Sequence, residues 1–401
     1  MKNGLGWGDV YGATLQRIKT QGGVKARLGM ATLMWVSHSR RPLRVEEICD
    51  AVAIRIGSNY LDYYSIPVIS TLVGSCQGLA TIDKGTSTIK LIHFTLQEYL
   101  CTHPDLFDRA HSTMAETCLT YLNFQHIKDF SASPFPDLRI TPFLEYSSLY
   151  WGAHMQMESS DRTKEFALQL LEKFENHISA TLLWKSIIWG FPLDYDPDDR
   201  QFSALHCVSY FGIAEAADTL IDTNGSDVNE IDGTGATPLI WAARYGHEEV
   251  VELLLQKKDI QPDQQDVNCD RTALSWAAEN GHEGVVGLLL EKKEVEPDRL
   301  SKSGLTPLLW ALKNGHEGVV NLLLERYDID PNRPGKFGRT PLSWAAENGC
   351  EGVVKLLFGR EDVDPITQAN LDGRRYHMLP RGGMGVWWNS SLDAGMSIPI
   401  L

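Results

Sequence analysis

Thr237-Pro238-Leu239-Ile240-Trp241-Ala242-Ala243 is a phrase this chain says several times. It returns as Thr272-Ala273-Leu274-Ser275-Trp276-Ala277-Ala278, as Thr306-Pro307-Leu308-Leu309-Trp310-Ala311-Leu312 and as Thr340-Pro341-Leu342-Ser343-Trp344-Ala345-Ala346. A weaker first copy is Ser203-Ala204-Leu205-His206, and the steps from Ser203 onward are 34, 35, 34 and 34 residues. A fixed period of that size marks stacked repeats that share one continuous core.

Each copy has the parts of a helix pair. The Thr offers an oxygen to the free amides of a first turn, and Pro at the next place gives up no hydrogen bond there. The short helix ends at Gly246, Gly281, Gly315 or Gly349, where a left-handed residue is needed. A second helix carries Val250-Val251 with Leu253-Leu254-Leu255, then Val285-Val286 with Leu288-Leu289-Leu290, on one face. Pro262, Pro297, Pro331 and Pro365 stop successive units at equivalent places.

This pattern resembles the ankyrin repeat, Asp-x-x-Gly-x-Thr-Pro-Leu-His-x-Ala-Ala-x-x-Gly-His. Asp232, Gly235, Thr237, Pro238, Leu239, Ala242, Ala243, Gly246 and His247 match it one for one, and the resemblance covers about 165 residues. The family's His after Leu is replaced by Ile240, Ser275, Leu309 and Ser343, with Trp one place later. That predicts the loss of one inter-turn hydrogen bond per repeat. His247, His282 and His316 are expected to be local structural hydrogen-bonders.

The rest of the chain is ordinary for a water-soluble protein. Of 401 residues, 43% are hydrophobic and 22% charged, and no apolar run reaches the ~20 residues of a membrane span. Met1 to Gly23 lacks a signal-peptide core. The seven cysteines are scattered without Cys-x-x-Cys, which fits reduced thiols and a cytoplasmic setting rather than a disulfide frame or zinc site. Net charge is −15, and Ser203 to Ile366 holds 15 Lys or Arg against 28 Asp or Glu. An acidic array repels phosphate backbones, which argues against nucleic acid and for a basic protein surface as its partner.

Upstream, apolar spacing predicts helices over Arg27 to His38, Val45 to Ile56 and Ile66 to Cys76. Two strand-like segments, Leu79 to Ile82 and Thr88 to Ile92, flank a turn at Lys84-Gly85. A further helix is expected to open at Thr95 with Glu98 as its capping box, and His93 is expected to be a hydrogen-bonded core residue. Three helices and a two-stranded wing describe a winged helix. Trp35-Val36-Ser37, Arg41-Pro42-Leu43, Glu46-Glu47-Ile48, Cys76-Gln77-Gly78-Leu79 and His93-Phe94-Thr95-Leu96-Gln97-Glu98-Tyr99-Leu100 resemble the winged-helix segment after the NACHT nucleotide-binding domain of fungal NACHT–ankyrin proteins, relatives of the NOD-like receptors in the STAND group. The resemblance implies a segment that packs against a nucleotide domain and helps hold the protein off or release it. Residues 24–122 carry nine Lys or Arg and nine Asp or Glu, with Arg40, Arg41 and Arg44 as their only basic cluster, a weak basis for reading DNA.

The expected organisation is mostly α. Residues 1–23 are a residual N-terminal segment, 24–122 a winged-helix domain with a small β wing, and 123–200 a helical connector. An ankyrin α-solenoid of about five repeats occupies 201–366, and 367–401 is an aberrant tail. In the connector Phe143, Tyr146, Tyr150, Trp151 and His154 recur at helical spacing, as a core stripe would. Asp194, Asp196 and Asp198 lack the Gly and Glu of an EF-hand loop and suit a solvated turn. Past Leu371-Asp372-Gly373-Arg374 the repeat pattern is gone, so the tail is expected to come from a shifted splice or gene boundary, to be disordered and to leave the fifth repeat uncapped.

No Gly-x-x-x-x-Gly-Lys-Ser/Thr, Gly-x-Ser-x-Gly or His-Glu-x-x-His occurs. The expectation is a non-enzymatic protein-interaction module with no cofactor or metal, its protein ligand on the concave ankyrin face and a NACHT-type domain present in a full-length relative. Part of a nucleotide-dependent signalling NTPase, or a fragment without a selected role, are the alternatives. Trp241, Trp276, Trp310 and Trp344 form a ladder that packs between first helices or, on the other reading, lines the partner face. Partner contacts are expected where the repeats differ. At the hairpin tips these are Thr234, Ala236, Asn268, Arg271, Lys302, Leu305, Phe337 and Arg339. On the first helices they are Arg244, Tyr245, Glu279, Asn280, Lys313, Asn314, Glu347 and Asn348. Tyr245, Arg271 and Phe337 lead, because aromatics and Arg dominate interface energetics.

Overall fold

The computed structural model describes residues 7–132, 140–188, 202–363, 367–371, 374–381, 384–389 and 397–399. Two compact units divide the chain, Met1–Ala204 and Leu205–Leu401. Asp194, Asp196 and Asp198 lie outside the described residues.

The first unit opens with α1 (Trp7–Thr20), which the sequence reading left unassigned. Tyr11, Leu15 and Ile18 recur at helical spacing and are buried, so the helix is held by one apolar face. Helices α2 (Gly23–His38), α3 (Val45–Ala53) and α4 (Ile69–Ser75) follow. At Gly29 a Cβ would stand 2.6 Å from the Ser75 carbonyl, so only Gly lets α2 and α4 pass this closely. The wing is an antiparallel pair, β1 (Ala80–Asp83) and β2 (Thr88–Leu91), with Ala80 opposite Leu91 and Asp83 opposite Thr88.

Helix α5 (Phe94–Thr102) starts two residues earlier than a cap at Thr95 would place it. Its cap is His93, whose Nδ1 accepts the Thr95 amide at 3.2 Å. An imidazole nitrogen does there what the Thr95 hydroxyl was expected to do, and His93 is exposed rather than in the core.

Helices α6 (Ala110–Leu122), α7 (Gln125–Lys128), α8 (Leu144–Met157), α9 (Asp161–Leu171) and α10 (Ile178–Ile188) complete the unit. Helix α6 is buried along nearly its whole length, and α8 and α9 lie against it. The aromatic stripe does become core. Trp35 of α2 meets Phe143 and Tyr146 edge-on, with centroids 5.5 and 5.9 Å away. Edge-to-face contacts of this kind add to the area they bury.

Two of the three arginines in the basic cluster, Arg41 and Arg44, are spent on internal pairs. Glu47, fully buried, takes Arg41 bidentately at 2.8 and 2.7 Å, the Arg44 amide at 2.7 Å and the Arg44 guanidinium at 2.9 Å. Burial alone would raise its pKa. The two arginines outweigh that and hold the carboxyl below its ordinary value. Arg44 also reaches Glu145 of α8 at 3.0 Å.

The second unit stacks five helix pairs. They are α11 (Ala204–Phe211) with α12 (Ala214–Asn224), α13 (Pro238–Tyr245) with α14 (Glu248–Leu255), and α15 (Ala273–Asn280) with α16 (Glu283–Leu290). Next come α17 (Pro307–Asn314) with α18 (Glu317–Leu324) and α19 (Pro341–Glu347) with α20 (Glu351–Phe358). Thr237, Thr272, Thr306 and Thr340 each cap a first helix through the side-chain oxygen. Gly246, Gly281 and Gly315 end α13, α15 and α17 in the left-handed region. The paired Val and Leu of α14, α16 and α18 face inward, as Val250, Val251, Leu254 and Leu255 do in α14.

Beyond the repeats, β3 (Thr367–Leu371), β4 (Arg374–Arg381), β5 (Met384–Asn389) and β6 (Ser397–Pro399) form an antiparallel sheet in that order. Disorder was expected there. The pairs Leu371–Arg374 and Arg381–Met384 bracket Asp-Gly and Gly-Gly, which are two-residue hairpin sequences the reading passed over.

Candidate partner-binding face

The hairpin that precedes each first helix builds one face of the array. Asp232 closes its turn through the Ala236 carbonyl at 2.9 Å, and Asp266, Ser301 and Gly335 do the same in later repeats. Successive hairpins are joined by Val267 N–H to Thr234 O, Lys302 N–H to Cys269 O and Lys336 N–H to Gly304 O, at 2.8 to 3.0 Å.

The indoles are packed. Trp241, Trp276 and Trp310 are buried, and Trp344 is half-buried. Each of the first three donates its ring N–H to the hairpin. Trp241 reaches Asp232 at 2.6 Å, Trp276 reaches Asp266 at 2.7 Å and Trp310 reaches Ser301 at 3.3 Å. The hydrogen bond that seemed lost with the family's His is thus remade from the next residue. In the first repeat, which keeps the His, His206 Nε2 donates to the same hairpin at Glu230 O and Ala236 O, 3.1 Å each. Residue 335 is Gly, so the Trp344 Nε1 has no acceptor. Burial tends to raise the Asp266 pKa, and the Cys269 amide and the indole that bond to it counter only part of that.

Cations lie on these rings. The Arg244 guanidinium sits 4.2 Å above Trp276, and Arg271 is sandwiched 4.4 Å from Trp276 and 3.7 Å from Trp310. Lys313 Nζ lies 4.6 Å over Trp310 and Arg339 5.0 Å over Trp344. Such contacts are worth about 0.5–2 kcal/mol each, more as they are desolvated.

The candidate contact residues therefore separate into two groups. Arg271 was expected to protrude from a tip, but it is buried and paired with Glu279. Arg339 pairs with Glu347 at 2.7 Å. Asn280, Asn314 and Asn348 turn their amides back onto the Trp276, Trp310 and Leu312 carbonyls at 2.9, 3.1 and 2.9 Å. Asn268 is half-buried, and Thr234, Ala236 and Leu305, expected at the tips, are buried where successive hairpins pack together. Lys302 and Lys313 are exposed, Arg244 is half-buried, and Tyr245 is 40% exposed, its ring 4.8 Å from that of Tyr210. The Phe337 side chain lies outside the described residues. Arg271 was misjudged because a sequence shows which positions vary, not that two stacked indoles leave a slot for a guanidinium.

A second row of contacts joins the repeats. The Nε2 of His247, His282 and His316 donates to the carbonyls of Tyr210, Arg244 and Glu279, at 2.9, 3.0 and 2.9 Å. Position 350 holds Cys, so the last interface lacks this bond.

Family models agree with this architecture. A model described as ankyrin repeats (3 copies) matches residues 182–266, 205–299 and 274–369. One described as GPI inositol-deacylase, winged helix domain, matches residues 16–117. No curated protein gave a match. The chain thus contains ankyrin repeats and, N-terminal to them, a winged helix domain. No helix among the described residues is long and apolar enough to cross a membrane.

Proposed function

We propose that this chain is a non-enzymatic protein-interaction module, the ankyrin array being its recognition surface and the winged helix its docking or relay piece. In a longer relative it would serve as the recognition arm of a NACHT–ankyrin receptor. Ankyrin repeats support protein–protein interaction in general. One observation carries the reading to a particular face. The Thr caps and the indoles recur from repeat to repeat, while residues at equivalent places on the first helices change from Arg244 to Glu279, Lys313 and Glu347. Glu279 and Glu347 are answered inside the array by Arg271 and Arg339, so the exposed Lys313, in their place one repeat on, is the variation that a partner best accounts for. The pairing of Arg41 and Arg44 with Glu47 and Glu145 supports leaving nucleic acid out of the role of the first unit.

The test is affinity capture from native extract with the full chain immobilised. A protein ligand should be retained, and Tyr245→Ala with Lys313→Ala should reduce its recovery about tenfold. Glu252→Ala, on a second helix, should leave it unchanged. Equal recovery by all three chains would remove the assignment of this face.

A further inference from the structure

The acidity of the array is not evenly placed. Hairpins and first helices (232–247, 266–282, 301–316 and 335–350) hold six Lys or Arg against five Asp or Glu, and the rest of Ser203 to Ile366 holds nine against 23. Of those five carboxylates, Asp232 and Asp266 are buried beneath indoles, and Glu279 and Glu347 are held by Arg271 and Arg339. Asp270 is exposed and Glu347 is partly so beside Arg339, while Lys302 and Lys313 stand exposed on the same face. The charge sum of the array points to a basic partner, but the placement of the charges points the other way.

We propose that the hairpin and first-helix face receives an acidic, extended peptide segment of a partner protein. The inference rests on the interaction reading above and adds the chemistry of the ligand. Arg244 and Lys313 are two repeats apart, with α13, α15 and α17 packed in sequence between them. Adjacent helix axes lie about 8–10 Å apart, so the two cations are separated by roughly 16–20 Å. An extended strand covers that with about five or six residues at ~3.3 Å each. Both cations lie on indole faces, which limits the rotamer freedom lost when a carboxylate arrives. The array's other carboxylates belong to the second helices and the loops after them, outside the hairpins and first helices. A nucleic acid fits less well, because its affinity needs many phosphate contacts and its length would run into those same carboxylates.

The experiment uses the full chain and three labelled probes of about twelve units each: poly-glutamate, poly-lysine and single-stranded DNA. Fluorescence anisotropy should show poly-glutamate bound tightest. Lys302→Glu with Lys313→Glu should weaken it at least tenfold, while Lys258→Glu with Lys293→Glu, outside this face, should not. Lys313→Gln, which adds no repulsion, should weaken it less and in the same direction, and thermal melts establish that each variant is folded. Tighter binding of poly-lysine or DNA, or indifference to the Lys302 and Lys313 changes, would overturn the proposal. If the captured protein ligand is displaced by poly-lysine and not by poly-glutamate, the interaction reading stands and the acidic-segment inference falls. If no protein is captured and no peptide binds, both fall.

Discussion

The imidazole of His282 occupies the space that any side chain on Gly246 would need. A Cβ there would stand 2.6 Å from the His282 Nδ1. The same relation joins Gly212 to His247 and Gly281 to His316, at 2.5 and 2.6 Å. One residue thus serves two purposes, ending a helix in the left-handed region at φ 77° and making room for the next repeat's ring. Gly246→Ala should therefore cost more than an ordinary left-handed Ala. The backbone accounts for about 1–2 kcal/mol, and displacing the ring from the Arg244 carbonyl for about 1 more. Urea denaturation should show a loss of roughly 2–3 kcal/mol, and a loss below ~0.5 kcal/mol would contradict the close packing.

At the last interface the same slot is open. Nothing lies within 4 Å of a Cβ on Gly315, because position 350 is Cys and not His. By the register of the other three, an imidazole at 350 would cover Gly315 and donate to the Lys313 carbonyl. Cys350→His should add about 1 kcal/mol, the net worth of one hydrogen bond. In a quasi-one-dimensional stack the gain should be local. Hydrogen exchange read by mass spectrometry should slow in α19 and α20 and stay unchanged in α13. Uniform slowing, or none, would count against the missing-staple account.

The hairpin acceptors form a graded series, Asp232, Asp266, Ser301 and Gly335, and the stability effects should be graded with it. Asp232 accepts the Trp241 indole, the Thr234 amide and hydroxyl, and the Ala236 amide, all within 3.0 Å. Asp232→Ala strands several buried donors and should cost about 3 kcal/mol or more. The Ser301 hydroxyl accepts the Trp310 indole and the Leu305 amide, each at 3.3 Å, bonds the Ser303 hydroxyl and donates to the Leu305 carbonyl, and it carries no charge, so Ser301→Ala should cost about 1–2 kcal/mol. Paired denaturation curves decide it. Equal costs would mean that the turn backbone, not the indole, sets the energy.

Much of this was legible because a repeat prints its own control. The Thr caps, the Gly terminators and the Val and Leu faces can be read from one copy and checked in the next. Where a feature is written once, the reading was weaker. Helix α1 was overlooked because Gly-rich flanks obscured the spacing of Tyr11, Leu15 and Ile18. His93 reads more readily as a hydrogen-bonded core residue than as a ligand, and sequence does not show that an imidazole nitrogen can cap a helix. The slot that buries Arg271 exists only once two repeats are stacked. No period reveals that.

Two buried histidines set the acid behaviour of the first unit. His154 is held at about 3 and His177 at about 4, both chiefly by burial, with neighbouring His111 adding for His154. Its tautomer also fixes His177 as neutral, since Nε2 donates to the Leu122 carbonyl at 3.1 Å and Nδ1 accepts the Ser179 amide at 3.1 Å. An unfolded chain takes up these protons near 6.5 and the folded one does not, so each histidine removes stability as pH falls from about 6.5 toward its folded value. Asp50 acts in the opposite direction. Burial, with Glu46 beside it, raises its pKa to about 6, so the folded state gains on acidification from about 6 down to the ordinary carboxyl value. Comparing wild type with His177→Gln cancels Asp50 and His154 and isolates one group. At pH 7 the wild type should be the more stable, because Gln reproduces only part of the two hydrogen bonds. By pH 4.5 the difference should have moved by roughly 2.5 kcal/mol in favour of the variant. Urea denaturation at pH 7, 6, 5 and 4.5 measures it, and a difference that does not change with pH would mean that His177 titrates normally and is not sealed against its two partners.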